Sequence, residues 1–325
     1  TSLVGSEMCI RDSLQLELEQ QTQQDYSFDI DRADTGQRIA AVASKLGQNE
    51  KAIEHLEKAR KLLTPHLDDK QDQTRVYDLM TQILLDYGTA LSKVGKTKES
   101  IAVFQDGIKL SEKRMNAGKD PGKALAGKIQ LVSNLDIAQR SIDDLGIDES
   151  RKTLWLSIDQ FFQLPEQEQT PHQVDISRVV LNKVALSEDE QAAHQDRRMD
   201  CMKLLEDSTA AANGDSLSEL RTKAEDSTAL ATAYATLDDK KKSYEVGMSA
   251  ADQWYELATQ TPNVIAFKRD FIWSTYNAFL MWQEYEFASK NADNDAAIPL
   301  TADQIKKMYQ RSAEMFRPIE NEGVE

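Results

Sequence analysis

The segment Ile83–Arg114 constrains the fold more than any other stretch of the sequence. It contains two amphipathic patterns separated by the turn Val94-Gly95-Lys96, and each repeats apolar residues every three or four positions, as on one face of an α-helix. In the second pattern the small residues Ser100 and Gly107 flank Phe104. A single helix cannot bury such a stripe by itself, so the two helices must pack against each other and against further helices. The segment therefore predicts an all-α fold built from helix pairs.

The same segment resembles a tetratricopeptide repeat. The residues that match the repeat pattern are Gly88, Leu91, Gly95, Ser100, Phe104 and Gly107. The resemblance implies an all-α, right-handed superhelix (an α-solenoid), in which successive antiparallel pairs share one continuous core. It also implies that the first helix of each pair, helix A, lines a concave face, with the second, helix B, behind it.

The sequence from residue 33 to residue 325 divides into about six such tetratricopeptide-like pairs. Gly47, Gly95 and Gly146 mark the first three turns and lie 48 and 51 residues apart, more than the 34 residues of the standard repeat. Longer helices and loops are expected to account for the difference. The predicted pairs are Asp34–Leu46 with Asn49–Leu63, one from Gln73 to Arg114, one from Lys123 to Leu164, Gln173–Leu186 with Glu188–Ala212, Ser216–Leu237 with Lys240–Thr259, and one from Thr261 to Phe316.

Three of these pairs carry residues that make specific predictions. In the third pair, the expected core residues are Ile137, Ala138, Ile142 and Leu145 on one helix and Leu154, Trp155, Ile158 and Phe161 on the other. In the fifth pair, Ala231, Tyr234, Ser243, Gly247 and Ala250 match the repeat pattern. The last pair has an aromatic cluster of Phe271, Trp273, Tyr276, Phe279, Trp282 and Tyr285. Helical spacing is more typical of a core than of a ligand pocket, so this cluster is predicted to be core.

The first residues do not fit a helical repeat. Ser2–Ser13 resembles a translated sequencing-library adaptor, so residues 1–13 are expected to be an artefact and Cys9 not to be a native thiol. Residues 14–32 are Gln-rich and acidic, which predicts a polar linker or a frayed helix. The chain is then expected to be an internal fragment of a longer protein, with the tetratricopeptide-like solenoid from residue 33 to residue 325.

Composition limits the class of partner. The net charge of −16 disfavours nucleic acid, whose phosphates attract Lys and Arg, and it also disfavours anionic membranes. No apolar run approaches the roughly 20 residues of a membrane-spanning helix, so no direct membrane insertion is predicted. A cytoplasmic location is favoured over a periplasmic one, although nothing in the sequence fixes the compartment.

No catalytic or cofactor-binding motif is found in the sequence. The histidines occur singly, without the spacing of a metal site, and each is predicted to lie at the surface: His55, His66, His172 and His194. Cys201 has apolar neighbours that predict a buried thiol and not a nucleophile. No Gly-rich phosphate loop or nucleophile-elbow pattern occurs. A non-catalytic chain without a cofactor or metal is therefore predicted.

The predicted function is a protein–protein interaction scaffold that binds a partner peptide or helix on the concave face. The candidate contact residues are Ser44, Lys45, Thr89, Ser92, Lys93, Asn134 and Arg140. Lys45 and Lys93 each lie two residues before a turn glycine, and Arg140 lies about one turn earlier in its helix. These three cations form a possible basic strip for a carboxylate-bearing partner. The alternative, which is favoured, is that they are solvated cations stabilised by helix C-termini.

A second resemblance gives an alternative function. Trp254–Ala258 before Pro262, and Phe267–Asp270 after it, are similar to the repeat tails of bacterial eukaryotic-like Ser/Thr protein kinases. The resemblance implies a regulatory or substrate-recruiting tail whose catalytic domain lies upstream, because the kinase HRD and DFG motifs are absent from this sequence. The sequence does not determine the partner, the oligomeric state, or what precedes Leu14 and follows Glu325.

Overall fold

A computed structural model gives the structure of the chain. It describes residues 26–67, 73–118, 120–142, 146–183, 192–291 and 302–316, so Ser2–Ser13 and most of the predicted linker lie outside the described residues. Within the described residues all regular structure is helical, which confirms the predicted all-α fold. The described residues form two compact units: unit 1 comprises those within 26–44 and 48–118, and unit 2 comprises those within 45–47 and 120–316.

The helices follow the predicted pairs in most of the chain. The first four are α1 (Tyr26–Lys45), α2 (Asn49–Leu63), α3 (Gln73–Lys93) and α4 (Thr97–Asn116), with a 3-10 turn at Thr64–His66. The others are α5 (Pro121–Arg140), α6 (Ile147–Phe162), α7 (Glu166–Gln169), α8 (Gln173–Arg178), α9 (Gln195–Ala211), α10 (Leu217–Thr236), α11 (Lys240–Gln260), α12 (Ile265–Asn291) and α13 (Ala302–Phe316). Gly95 has a φ of 79°, a left-handed conformation that suits glycine at a helix end.

Helices α3 and α4 pack closely because Gly88, which has no side chain, faces the ring of Phe104 on the other helix. The Ser100 hydroxyl donates a hydrogen bond of 2.7 Å to the carbonyl oxygen of Gly88 on the facing helix. A Cβ atom added to Gly88 would lie 2.4 Å from the ring of Phe104, and Phe104 is only 1% exposed. The small residue on one helix and the large one on the other therefore fill the space between them completely.

Neighbouring A helices of unit 1 run side by side in parallel. Three polar contacts join α1 to α3: Arg75 to Asp31 at 2.6 Å, Gln37 to Asp86 at 2.7 Å, and Lys93 to Ser44 at 3.0 Å. Their partners are 44, 49 and 49 residues apart in sequence. A nearly constant offset along three turns of helix requires that the two helices point the same way. Successive pairs in unit 1 are therefore stacked as in an α-solenoid, with a repeat longer than the standard 34 residues.

Unit 2 repeats this packing in its second half. Ser243 on α11 donates a hydrogen bond of 2.8 Å to the carbonyl oxygen of Ala231 on α10, and Ser216 caps α10 by accepting from the Glu219 amide, as predicted. The ring centroids of Tyr255 and Phe271 lie 5.4 Å apart where α11 meets α12. The fifth predicted pair is therefore confirmed, and α12 packs on it as the first helix of the next pair.

The third pair differs from its prediction on helix α5. The four residues predicted on α6, from Leu154 to Phe161, are buried as expected, whereas Ile137 and Ile142 are 41% and 40% exposed. Ile137 lies in the last turn of α5, where its side is exposed although Ser133, one turn earlier on the same side, is buried, and Ile142 follows the end of that helix. Leu145 lies outside the described residues. Gly146 caps α6 with a φ of −79°, so it lies at the predicted bend without a left-handed conformation.

Two helix boundaries also differ from the prediction. Helix α1 begins at Tyr26, not at Asp34, because Ile30 and Ala33 extend its buried stripe and are both fully buried. In the fourth pair, the first helix is the short α8, which continues as a π-helical turn at Val179–Lys183. The second helix begins at Gln195, and residues 184–191 between them lie outside the described residues.

Candidate functional site

Several of the predicted partner-contact residues lie in unit 1, where they take part in the packing of that unit. Lys93 is exposed, and its ammonium group lies 3.0 Å from the Ser44 hydroxyl, so these two residues are brought together. Thr89 donates to the carbonyl oxygen of Leu85 in its own helix. Ser92 shares a hydrogen bond of 2.8 Å with the hydroxyl of Ser100. Lys93 therefore retains the exposure that a contact residue needs, while the hydroxyl groups are already used within the unit.

The remaining predicted contact residues lie on α1 and α5. Lys45 is exposed at the end of α1. The Asn134 amide donates to the carbonyl oxygen of Gln130. Arg140 lies 2.9 Å from the carboxylate of Asp136, which is 2% exposed and also lies 3.3 Å from Arg151. Arg140 is therefore part of a structural ion pair, and the basic strip stays a prediction.

A concave groove lies along the A helices of unit 2. Its volume is about 490 Å³, and its lining comes from α5, α8 with its π-helical turn, α10, α11 and α12. Residues that define this polar groove are Gln130, Arg178, Asn182, Arg221, Asp270 and Trp273. Trp273 is 62% exposed, which is unusual for the residue type that is most often found as an anchor at protein interfaces.

The floor of the polar groove is an ion pair on a buried carboxylate. Arg178 donates to Asp226 at 2.5 Å and to Asp175 at 2.8 Å, and Asp226 also accepts from the Ser208 hydroxyl at 2.8 Å. Asp226 is completely buried. Burial acts to lower the pKa of Arg178, but the hydrogen bond and the negative charge of Asp226 outweigh it, so the pKa is raised. Arg178 therefore carries a fixed positive charge that holds α8 to α10.

The rim of the polar groove carries more acid than base. Three carboxylates and two guanidinium groups line the groove: Asp175, Glu225 and Asp270, against Arg178 and Arg221. Arg221 pairs with Glu225 at 2.7 Å, and Arg269 pairs with Asp270 at 2.7 Å. Both carboxylates remain 29% exposed. The groove is therefore polar and weakly negative beside its exposed indole ring.

A second, apolar cavity adjoins the polar groove. This Gly247 pocket has a volume of about 210 Å³ and lies between α10, α11 and α12, where its wall is formed chiefly by Ala231, Gly247, Ala250, Ala278 and Met281. Thr228 and Ser274 line both cavities, so the two are adjacent.

The chemistry expected from other reactive side chains is limited. Cys201 is fully buried, as predicted, and burial raises the pKa of its thiol to about 11, so it is not a thiolate at neutral pH. The four histidines, predicted to lie at the surface, are all partly exposed: the His194 ring stacks on Trp155 at 3.7 Å, and His66 lies 3.1 Å from Asp29. In the described part of the chain no three His, Cys, Asp or Glu side chains converge as metal ligands.

Sequence reasoning missed the principal residues of this site. The aromatic cluster of the last pair was predicted to be core. Phe271 is buried, and Phe279 and Trp282 are half-buried against a core cluster, whereas Trp273 and Tyr276 are 62% and 52% exposed. One signal was available, since Trp273 and Tyr276 lie three residues apart and away from the stripe that contains Phe271. The partnership of Arg178 with Asp226 had no comparable signal, because 48 residues separate them.

Comparisons with known proteins give no family for this chain. No protein-family model matches it, and no curated protein sequence matches it. Solved structures that resemble it include the complex of the TPR2AB domain of yeast Sti1 with pHSP90, at 13% sequence identity, covering 86% of this chain and 98% of that one with a TM-score of 0.29. A TM-score this low carries no inference, so the repeat fold rests on the helix packing within each unit. Among the described helices, none has the length and apolar character needed to cross a bilayer.

Proposed function

We propose that this chain is a non-catalytic interaction scaffold that binds a peptide or helix of a partner protein in the polar groove and the Gly247 pocket. The observation that carries this proposal is the exposed Trp273 in a concave groove lined by the A helices of unit 2. Tryptophan buries a large area when a partner covers it and loses little conformational entropy, so an exposed one in a groove favours a binding role.

The absence of catalytic motifs in the sequence supports a binding role over an enzymatic one. The groove holds paired charges, Arg178 with Asp226 and Arg221 with Glu225, which suits a surface that positions polar groups. A general acid or base would require a group with a pKa moved toward neutrality. The acidic composition, with a net charge of −16, supports a protein partner over nucleic acid.

A second contact surface is proposed from the sequence alone. It comprises Ser44, Lys45, Thr89, Ser92, Lys93, Asn134 and Arg140, and it would take a carboxylate-bearing partner. The exposed ammonium groups of Lys45 and Lys93 support this proposal. The pairing of Arg140 with Asp136 weighs against it, so the groove of unit 2 is the primary site.

The alternative function is that of a regulatory or substrate-recruiting tail of a bacterial Ser/Thr protein kinase. It is supported by the resemblance of the segments around Pro262 to such tails. Finding HRD and DFG motifs in the gene upstream of Leu14 would favour it, whereas a signal peptide or lipobox upstream would favour a free-standing, periplasmic scaffold.

A peptide-display selection tests the proposed function. The purified chain is panned against a random 12-residue peptide library, and the enriched peptides are measured by fluorescence anisotropy against the wild type, Trp273→Ala and Phe287→Ala. Phe287 is the matched control, because it is 71% exposed on the same helix and does not line the groove. Trp273→Ala should weaken binding about thirtyfold, as is typical of an interface anchor. Equal binding by the two variants would contradict the proposal.

A further inference from the structure

We infer that the groove of unit 2 selects peptides in which an aromatic or large aliphatic side chain fills the Gly247 pocket and a nearby Lys or Arg lies against Trp273 and Asp270. This inference rests on the proposed function and adds to it the class of peptide that is recognised. The occupant is a segment of a partner protein with an apolar anchor and a positive charge within about four residues of each other.

The pocket exists because a core side chain of the repeat is missing. Ser100 and Ser243 occupy the same repeat position, since each donates from helix B to a helix A carbonyl oxygen 12 residues earlier in the chain. Four residues after Ser100 comes the buried Phe104, whereas four residues after Ser243 comes Gly247. In unit 2, Ala278 of α12 approaches this position, and a Cβ atom added to Gly247 would lie 3.2 Å from the Cβ of Ala278. These small residues do not replace a whole aromatic ring, and an apolar pocket of about 210 Å³ remains beside them.

The same repeat position is large and buried in the other regular pairs. Eight residues after the N-cap of helix B, it is Leu56 in the first pair, Phe104 in the second and Leu154 in the third, and each is 1% exposed. Only in the fifth pair is it a glycine. An apolar cavity of about 150 Å³ is large enough to bind benzene. The Gly247 pocket, at about 210 Å³, therefore has room for an aromatic or leucine side chain supplied from outside.

The polar groups on the pocket wall do not favour a polar occupant. The Ser243 hydroxyl already donates to the Ala231 carbonyl oxygen at 2.8 Å. Thr228 donates to the Ala224 carbonyl oxygen at 2.7 Å and accepts from the Trp254 indole at 3.0 Å. The wall also contains Thr232, Ser274 and Asn277 beside four alanines and Met281. Since the hydroxyls of Ser243 and Thr228 are satisfied, an apolar side chain that packs on the alanines breaks no hydrogen bond of these two residues.

Charge complementarity gives the sign of the neighbouring group. The exposed face of Trp273 attracts a cation through its π electrons, and the carboxylates of Asp270 and Glu225 remain partly exposed beside it. The groove has one more carboxylate than guanidinium groups, and Arg178 is held by the buried Asp226. An acidic peptide would meet like charge here, so Lys or Arg is favoured next to the anchor.

A defined set of fluorescent peptide pools separates this inference from the proposed function. Each pool has two fixed residues spaced two apart in a random 12-residue background: Phe with Lys, Phe with Glu, or Ala with Lys. The proteins are the wild type, Ala231→Leu to fill the pocket, Asp270→Asn to remove the carboxylate, and Ala102→Leu as a control on an exposed alanine of α4. Anisotropy gives the affinity, and circular dichroism melting confirms that each variant is folded.

The expected result is a strong preference for the pool with Phe and Lys. Wild type should bind it about tenfold or more tightly than the pool with Ala and Lys, as expected for burial of one large apolar side chain. Ala231→Leu should remove this advantage, Ala102→Leu should keep it, and Asp270→Asn should weaken binding about threefold at low salt. If Ala231→Leu does not fold, Ala235→Leu fills the same pocket from the next turn of α10.

Other outcomes overturn the inference in distinguishable ways. Binding that requires Trp273 but is unchanged by Ala231→Leu, or that favours Glu over Lys, contradicts the inference and leaves the proposed function in place. Failure of every pool and of the random library to bind contradicts both. Self-association of the chain in sedimentation velocity that is abolished by Ala231→Leu would show that a second copy fills the pocket, which also overturns it.

Discussion

Unit 1 and unit 2 contain the same contact between the two helices of a pair, but it is fully packed in unit 1 and lies beside a pocket in unit 2. In unit 1, Phe104 packs over Gly88 and the space between the helices is closed. In unit 2, the matching residues are Gly247 and Ala231, and a cavity of about 210 Å³ remains. The hydrogen bond from the neighbouring serine is nearly identical in both, at 2.7 and 2.8 Å. The comparison shows that the backbone of a helix pair persists when its central side chain is absent and an apolar pocket lies beside that position.

The largest expected loss of stability comes from removing the buried ring at the contact between α3 and α4 in unit 1. Phe104→Ala should lower the free energy of unfolding by about 3–5 kcal/mol, because it leaves a cavity where a fully buried ring was packed. Urea unfolding followed by circular dichroism measures it. The control is Phe287→Ala, an exposed phenylalanine that should cost less than about 1 kcal/mol. A small loss for Phe104→Ala would show that unit 1 tolerates an open contact as well as unit 2 does.

The polar contacts between neighbouring A helices differ between the units in the same way. Asp226→Ala removes the main partner of Arg178 in unit 2 and should cost about 3 kcal/mol, because Arg178 is left largely buried with weaker partners. Asp31→Ala removes the partner of Arg75 in unit 1, where the side chains are 65% and 53% exposed, and should cost at most about 1 kcal/mol. Equal losses in urea unfolding would contradict the distinction between a buried and an exposed contact.

Alanine at the two helix-contact glycines should have unequal effects. Gly88→Ala should destabilise the chain by about 1–3 kcal/mol, since its Cβ would lie 2.4 Å from the Phe104 ring. Gly247→Ala meets its nearest atom, the Cβ of Ala278, at 3.2 Å. There the gain in helix propensity, about 1 kcal/mol, should offset the crowding and leave stability nearly unchanged. Thermal melting of both variants tests the comparison, and a loss of similar size at Gly247 would show that the pocket is already closed.

The smallest effect is a pH response that belongs to unit 2. Burial raises the pKa of the Cys201 thiol from 9.0 to about 11, so between these values the unfolded chain loses a proton that the folded chain keeps. Stability contributed by this group is therefore present below pH 9 and is lost as the pH rises toward 11. At pH 10 the loss should be about 1 kcal/mol relative to pH 8. Urea unfolding at both pH values, compared with Cys201→Ala, isolates the thiol; identical pH dependence in the variant would exclude it.

The fold was predictable where the signal is local. Gly95 and the flanking apolar stripes gave the α3–α4 pair, and the capping pattern at Ser216 gave the start of α10, because turns and caps depend on nearby residues. Ile137 was misplaced because helical spacing alone does not show that its side of α5 is exposed in the last turn. The irregular α8 was also missed, since its short length and π-helical turn depend on packing from distant segments.

The candidate site was less predictable than the fold. Lys93 and Arg140 were chosen as exposed cations, but the sequence does not show that Ser44 and Asp136 lie within 3.0 Å of them. Gly247 was matched to the repeat pattern from the sequence. The pocket beside it becomes evident only when its helix pair is compared with the pair that contains Phe104. A pocket beside a position with no side chain leaves a weak trace in a single sequence.

The constant offset between contacting residues of α1 and α3 has a consequence for how such a chain changes in length. Each polar link joins residues 44 to 49 positions apart. A repeat of about that length is therefore the unit that we expect to be duplicated or lost as a whole. Insertions or deletions of other lengths within these helices would misalign the paired side chains, so we expect such changes to be tolerated only in the connecting loops.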